Sequence, residues 1–216
     1  MDERKICFIT CVNKDTEYEE CLYYLNRLHI PEGYQVEVLS IKDATSMYNG
    51  YNQAMQASDA KYKVYLHQDV HILEQDFIEK VIALFQKDPK TGMIGMVGCK
   101  EMPETGVMWT VKRFGGLVET HIFETKDRSI YDAAEDVQVV LLDGLLLCTQ
   151  YDIPWREDLF QGWDFYDCSQ CMEFTRKGYK LVVPYQEHPW CLHDCGFVNL
   201  GQYEEAREKF IREYFS

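Results

Sequence analysis

Three side chains that can bind metals, His67, Asp69 and His71, occupy alternate positions near the end of an apolar, β-prone run over residues 64–72. Because alternate side chains of a strand point the same way, this spacing could place two imidazoles and a carboxylate on one side of a strand end. Imidazole nitrogen and carboxylate oxygen are ligands for divalent cations. The segment by itself therefore predicts either a metal site or a polar surface turn.

A second candidate for chemistry is Asp164, which lies just before a predicted helix. A carboxylate at a helix N-terminus is stabilised by the helix dipole and by free N–H groups, so Asp164 could be an ordinary cap. It could also be a general base, if it faces a bound hydroxyl. The surrounding aromatic residues could either stack on sugars or fill a core: Trp155, Phe160, Trp163, Phe165 and Tyr166.

Two further sets of potential ligands lie towards the C-terminus. His193 follows the last predicted strand, and a turn there could return it to the Asp69 region, whereas a lone histidine such as His188 is more often structural. Four cysteines superficially resemble a zinc site, but the spacing of the second pair is imperfect and the first pair follows one helix face. Buried thiols are the favoured explanation for these four: Cys168, Cys171, Cys191 and Cys195.

The bulk composition excludes several classes of protein. The 216 residues suit one domain, and 46% hydrophobic with 14% aromatic residues indicate a packed globular chain. A net charge of −14 argues against nucleic-acid binding and against docking on anionic lipid. The N-terminal segment is too short and polar for a signal peptide, and no run has the length of a membrane span. We therefore expect a cytoplasmic protein without stable membrane insertion.

Strands and helices alternate in the first half of the chain. Strands are predicted over residues 5–12, 34–41, 61–68 and 93–99. A helix begins at a Thr16 capping box, a second extends from Thr45 or Ser46 to about Ala57, and a third covers 76–86. This alternation predicts a parallel sheet with right-handed crossovers. Neither a Gly-rich dinucleotide motif nor a P-loop is present, which argues against those two classes of enzyme.

The second half is less regular. Residues 100–135 show little apolar periodicity, and long irregular stretches in compact domains are often functional loops. The apolar run 137–149 is broken by Asp143-Gly144. A helix over 164–177, a strand over 179–184 and a final helix over 203–215 follow.

Polar residues follow several predicted strands. They would lie at the carboxyl ends of the strands, which is the edge where open α/β sheets bind ligands. Asp43 and Asp69 would meet along that edge, where a carboxylate could hold a ribose or base and a metal could hold a diphosphate. Thr10, Cys11 and Asn13 supply further polar groups at the end of the first strand.

In order and spacing, these motifs resemble those of the family 2 glycosyltransferases, closest to a streptomycin-biosynthesis glycosyltransferase-like branch. The resemblance covers nearly the whole chain. It is carried by Asn52 and the strand leading to His67-Gln68-Asp69, a D-x-D-like motif, and by Asp164 before a helix that ends at Gly178. It implies an α/β GT-A fold, with a mostly parallel sheet flanked by helices and a Rossmann-like N-terminal half. Residues 1–216 would form one domain, with a nucleotide-sugar-binding half (1–99) and an acceptor-side half (100–216).

The resemblance also implies an activity of the hexosyltransferase type, the inverting and metal-dependent transfer of a sugar from a nucleotide-diphosphate donor to an unidentified acceptor hydroxyl. Asp69 and His193 would bind Mn²⁺ or Mg²⁺, and Asp164 would be the catalytic base. The nucleotide sugar would be bound by Thr10, Cys11, Asn13, Asp43, Asn52, His67 and Gln68.

Two positions depart from the family pattern. His67 replaces the first aspartate of D-x-D, as this branch is known to do, and Trp163 replaces an acidic neighbour of the base. The alternative is thus a nucleotide-sugar-binding GT-A-like module without turnover. A pocket that joins Asp69, His193 and Asp164 would favour the enzyme.

Overall fold

The centre of the molecule is a mixed seven-stranded sheet. The structure is a computed structural model and describes residues 1–121, 124–127, 135–196 and 200–215. Numbered in chain order, the strands lie side by side as β10 (Val137–Val139), β13 (Lys180–Val183), β5 (Thr91–Gly95), β12 (Leu146–Thr149), β3 (Ala60–Leu66), β1 (Asp2–Cys11) and β2 (Gln35–Ile41).

Five of the seven strands run in the same direction, but only three of the six neighbouring pairs are parallel. Strand β1 pairs in parallel with β2 and β3, and β5 pairs in parallel with β13. Strand β12 runs antiparallel between β3 and β5, and β10 is an antiparallel edge strand. The second half of the chain therefore supplies a strand inside the sheet that the first half begins, and β3 does not pair directly with β5.

Helices cover both faces of the sheet. Helices α1 (Asp15–Leu25) and α3 (Phe77–Lys87) belong to one hydrophobic cluster, whereas α2 (Met47–Ala57), α4 (Tyr166–Arg176) and α5 (Tyr203–Tyr214) belong to the other. This layered arrangement confirms the predicted α/β class. None of the helices within the described residues has the length and apolar composition that crossing a membrane requires.

Two small sheets extend the molecule beside the carboxyl end of β3. One pairs β6 (Val97–Cys99) with β7 (Arg113–Gly115) and β11 (Leu141–Leu142). The other contains β4 (Val70–Ile72), β14 (Cys191–Asp194), β8 (Val118–His121) and β9 (Glu124–Asp127). Part of the region predicted to be irregular thus forms strands, while residues 122–123 and 128–134 lie outside the described part of the chain.

The helix starts were predicted with mixed success. The Ser46 hydroxyl accepts a hydrogen bond from the Asn49 N–H at 3.0 Å, which confirms Ser46 as the cap of α2. The predicted capping box at Thr16 is wrong, because α1 already begins at Asp15 and its N-cap, Lys14, makes no side-chain capping bond.

Candidate active site

The site begins where β3 ends. The chain turns after Leu66, with the Val70 N–H donating to the His67 carbonyl at 3.2 Å, and continues as β4. The His67 N–H donates to the Leu145 carbonyl at 3.0 Å, which ties the turn to the start of β12. The turn places His67 Nδ1 4.0 Å from Asp69 Oδ1. Two polar side chains of the predicted motif therefore come together in a turn rather than along a strand.

His193 joins this pair through strand pairing. Strand β14 is antiparallel to β4, with His193 opposite Val70, and the Asp194 N–H donates to the Asp69 carbonyl at 2.9 Å. His193 Nε2 lies 3.5 Å from Asp69 Oδ1. One ligand atom from each of His67, Asp69 and His193 lies within 4.8 Å of the others, and we call these three residues the His–Asp–His cluster.

His71 does not belong to this cluster, contrary to the simple alternation predicted from the sequence. It is buried, and its ring stacks on Tyr24 of α1 with ring centroids 4.8 Å apart. The physical reason is the turn between β3 and β4, which interrupts the period of two on which the alternation depends. His193, distant in sequence, takes the place that the pattern assigned to His71.

The His–Asp–His cluster fits a divalent cation. Asp69 Oδ1 is buried yet has no hydrogen-bond partner among the described residues. His193 Nε2 lies 3.5 Å from this oxygen, which is too long for a strong hydrogen bond, so the buried acceptor is only weakly satisfied and a cation would satisfy it better. One carboxylate with two imidazoles is a donor set that suits divalent metals. The residues present therefore match the metal that the sequence predicts, although the donor set does not select between ions.

The electrostatics of the cluster favour ligand forms of two of its members. Burial lowers the pKa of His67 to about 4, so its imidazole is neutral at physiological pH. Burial would raise the pKa of Asp69, but the neighbouring His193 outweighs it and the pKa is lowered. Burial would lower the pKa of His193, but the Asp69 carboxylate outweighs it and the pKa is raised. Asp69 and His193 thus each favour the charged form of the other.

A tyrosine holds His67 from the other side. The Tyr166 hydroxyl lies 2.5 Å from His67 Nε2, which leaves His67 Nδ1 towards Asp69. The position of the Tyr166 hydroxyl requires a glycine at position 144, since a Cβ there would lie 2.2 Å from the hydroxyl oxygen. Such outer partners orient metal-binding histidines. Tyr166 and Gly144 therefore set the orientation of the His67 ring.

A single cavity of about 1120 Å³ joins the His–Asp–His cluster to Asp164. Asp164 is half-buried, and burial raises its pKa. It is not a helix cap, because α4 begins at Tyr166 with Phe165 as its N-cap and no side-chain capping bond.

Phe165 has a positive φ of 58° and packs against Phe210 of α5. Strained residues of this kind persist only where packing enforces them.

The cavity brings together part of the predicted nucleotide-sugar set. Its lining includes Cys11, Asn13, His67 and Gln68. Gln68 also clamps the end of β3 to the segment before α1, because its Oε1 accepts from the N–H groups of Asn13 and Lys14.

Three predicted binding residues do not line the cavity. Thr10 is 1% exposed, and its hydroxyl has no hydrogen-bond partner among the described residues. Asp43 is exposed beside the lining residue Lys42. Asn52 is committed to structure, since its side chain hydrogen-bonds both the N–H and the carbonyl of Trp155, at 2.9 and 3.0 Å.

The four cysteines do not form a metal site. All nine cysteines are free thiols, and the His–Asp–His cluster is the one group of ligating side chains found in the described part of the chain. Burial raises the pKa of Cys171 and Cys168 well above the ordinary value, as expected for thiols packed in a core.

Other lining residues carry charge that sequence reasoning missed. Asp167 accepts hydrogen bonds from the N–H groups of Gly144 and Cys168, and burial with the nearby Asp143 raises its pKa to about 7. Arg113 lies on β7, in the region predicted to be an irregular loop. The break at Asp143-Gly144 was a usable signal, whereas no local pattern singled out Arg113.

Comparison with known protein families identifies the family of this chain. Residues 7–214 match the family described as "Glycosyltransferase like family", and the chain belongs to it. No curated protein matches the chain.

Solved structures with a similar fold include a mannosyltransferase and the protein TarS. One is mannosyltransferase PcManGT from Pyrobaculum calidifontis in complex with GDP-Man and Mn²⁺, with a TM-score of 0.56 and 11% sequence identity. The match covers 95% of this chain and 60% of the PcManGT chain. Another is S. aureus TarS 1-349 in complex with UDP-GlcNAc, with a TM-score of 0.60 and 10% sequence identity. The match covers 97% of this chain and 66% of the TarS 1-349 chain. The chain thus spans about three-fifths of PcManGT, and 39% of the longer TarS chain. These similarities establish the GT-A fold.

Proposed function

We propose that this protein is an inverting, cation-dependent glycosyltransferase that uses a nucleotide-diphosphate sugar. The observation that carries the proposal is the cavity that joins Asp69, His193 and Asp164. A metal-type cluster and an unbonded carboxylate open into one space, as transfer from a diphosphate to a hydroxyl requires. The complexes of GDP-Man with PcManGT and of UDP-GlcNAc with TarS make GDP- and UDP-sugars the first donors to test.

In the proposed reaction, Asp164 removes the proton from the acceptor hydroxyl as its oxygen attacks the anomeric carbon. The bond from that carbon to the diphosphate oxygen breaks on the opposite face, and the diphosphate leaves with the bonding electrons. The raised pKa of Asp164 makes it a stronger base than an ordinary carboxylate. His67, Asp69 and His193 would hold Mn²⁺ or Mg²⁺, which when bound neutralises charge on the diphosphate.

Several finer assignments belong to the same proposal. Cys11, Asn13 and Gln68 are proposed to contact the nucleotide sugar, since they line the cavity, whereas His67 is proposed to hold the cation instead. Transfer of a hexose, membership of the streptomycin-type branch and a cytoplasmic location stay predictions from the sequence. The division into a donor half, 1–99, and an acceptor half, 100–216, also stays a prediction.

The test is a screen of UDP- and GDP-sugars for thermal stabilisation, with Mn²⁺, with Mg²⁺ and with chelator. A ligand at 100 times its Kd adds about 2.7 kcal/mol to stability, which is readily measured. A donor that stabilises the protein only with a cation, and not the Asp69→Asn variant, supports the proposal. Stabilisation that is equal with chelator and in Asp69→Asn contradicts the cation role. If a donor binds but is neither transferred to any acceptor nor hydrolysed, the binding module is favoured.

A further inference from the structure

Arg113 is a cation in the cavity wall whose side chain has no bonded partner among the described residues. Its side chain is half-buried and forms no hydrogen bond or ion pair with any residue that the structure describes. Arg156, Arg176 and Arg207, by contrast, each bind at least one carboxylate. The other permanent cation in the described lining, Lys42, lies 2.6 Å from Asp15. Arg113 is therefore the lining cation whose hydrogen-bond donors are available to a ligand.

The strand β7 aims Arg113 into the cavity. Alternation along β7 sends Phe114 into the core and Arg113 to the other side. Val97, paired with Gly115 on the same face as Arg113, also lines the cavity. Gly115 holds the strand close to β6, because a Cβ there would lie 2.0 Å from the Met96 carbonyl oxygen. The position of Arg113 thus follows from packing that a side chain at Gly115 would prevent.

The surroundings of Arg113 are otherwise acidic. Five carboxylates line the same cavity: Asp69, Glu119, Asp143, Asp164 and Asp167. Burial raises the pKa of Asp143, and the positive charge of Arg113 lowers it by less, so the pKa of Asp143 stays above its ordinary value. An anionic ligand would be repelled by these groups unless cations faced it. The His–Asp–His cluster supplies a place for one cation, and Arg113 is a second that needs no metal.

We propose that Arg113 binds a phosphate group of a substrate in this cavity. A planar guanidinium presents paired N–H donors that match phosphate oxygens, and it stays charged at every physiological pH. A half-buried guanidinium without acceptors gains more from such a ligand than an exposed one does. The phosphate is either the diphosphate of the donor or a phosphate ester on the acceptor. The inference about the donor rests on the proposed function, whereas phosphate binding by Arg113 does not.

The experiment compares the wild type with Arg113→Gln, using Lys112→Gln as the matched control. Lys112 is the exposed neighbour, and its loss changes the net charge equally. Calorimetry with Mn²⁺ measures binding of UDP, GDP and inorganic pyrophosphate. A second series titrates inorganic phosphate into protein saturated with the better nucleotide. Thermal unfolding checks that the variants fold, and Arg113→Lys tests the paired geometry while keeping the charge.

We expect Arg113→Gln to weaken binding by roughly 10- to 100-fold, the range of a charge-assisted hydrogen-bonded contact, with a smaller loss in Arg113→Lys. Loss confined to nucleotide and pyrophosphate identifies the donor diphosphate as the source. Unchanged nucleotide affinity with lost phosphate binding identifies the acceptor. If no ligand is weakened beyond the Lys112→Gln control, or the wild type binds none, the inference is overturned. Arg113-dependent binding of pyrophosphate without nucleotide binding would contradict the proposed function alone.

Discussion

Asp164 is the residue on which the proposed proton transfer depends, and its carboxylate accepts no hydrogen bond within the described residues. Asp164→Asn should lower kcat by about 10²- to 10⁴-fold, because the amide cannot take the proton. Donor affinity should stay unchanged, since the base acts on the acceptor. Release of nucleoside diphosphate measures the rate, with exposed Glu32→Gln as the control. A loss of less than tenfold would reject the catalytic role.

The pH dependence of the reaction gives a second check on Asp164. Burial raises its pKa, and the base acts only when deprotonated. Activity should therefore fall as the pH drops through that raised pKa, at a higher pH than for an ordinary carboxyl group. A profile of kcat against pH measures this acid limb. An acid limb that persists unchanged in the residual activity of Asp164→Asn would assign the titration to another group.

Tyr166 is expected to act on the metal site through His67. Tyr166→Phe removes the hydroxyl that lies 2.5 Å from His67 Nε2 and should weaken Mn²⁺ binding by roughly 10- to 100-fold. Tyr151→Phe is a matched control, because its hydroxyl donates to the Pro89 carbonyl at 2.8 Å, outside the cavity lining. Equal Mn²⁺ affinity in both variants, measured by titration, would reduce Tyr166 to a packing role.

At the scale of elements, the site is assembled by the pairing of β14 with β4 and by the loop between β11 and β12. A shift of one residue in the β4–β14 register would turn His193 to the opposite face of its strand. The loop contributes Leu145, which bonds the backbone of His67, and Gly144, which leaves room for Tyr166. The geometry of the cluster therefore depends on backbone segments as much as on its three side chains.

Gly144→Ala tests the loop directly. A Cβ there would lie 2.2 Å from the Tyr166 oxygen and 2.9 Å from Asp167 Cβ, so the neighbours must move. We expect a loss of about 1–3 kcal/mol in unfolding free energy together with weaker Mn²⁺ binding. Denaturant unfolding and Mn²⁺ titration measure the two effects. Gly196→Ala is the control, since its Cβ would meet no atom within 4 Å. Wild-type Mn²⁺ affinity in Gly144→Ala would show that the Tyr166 position is unimportant.

At the scale of the whole molecule, strand β12 joins the two halves of the chain. It lies between β3 and β5, so a fragment of residues 1–99 would leave edges of both strands without hydrogen-bond partners. We predict that this fragment does not fold cooperatively. Circular dichroism and thermal unfolding, compared with the full chain, test this. A fragment with native-like helix content and a sharp transition would show that the donor half is an independent unit.

The local pattern of the sequence determined the α/β class and the approximate position of most elements. Apolar periodicity records which face of a helix or strand is buried, and that information is local. The sequence also singled out His67, Asp69 and Asp164, because polar residues that end an apolar run stand out. The assignment of roles to them came from the family resemblance.

Only the tertiary structure decided which of these residues meet. The turn after β3 removed His71 from the cluster. The approach of His193 to Asp69 was predicted, but the β4–β14 register that produces it was not. Arg113 was not identified as a site residue, and Tyr166 was named only among aromatic residues that could stack on a sugar or fill a core. No local period distinguishes a residue that faces a cavity from one that faces the core. Contacts between residues distant in sequence depend on strand order and register, and the local sequence pattern carries no signal of either.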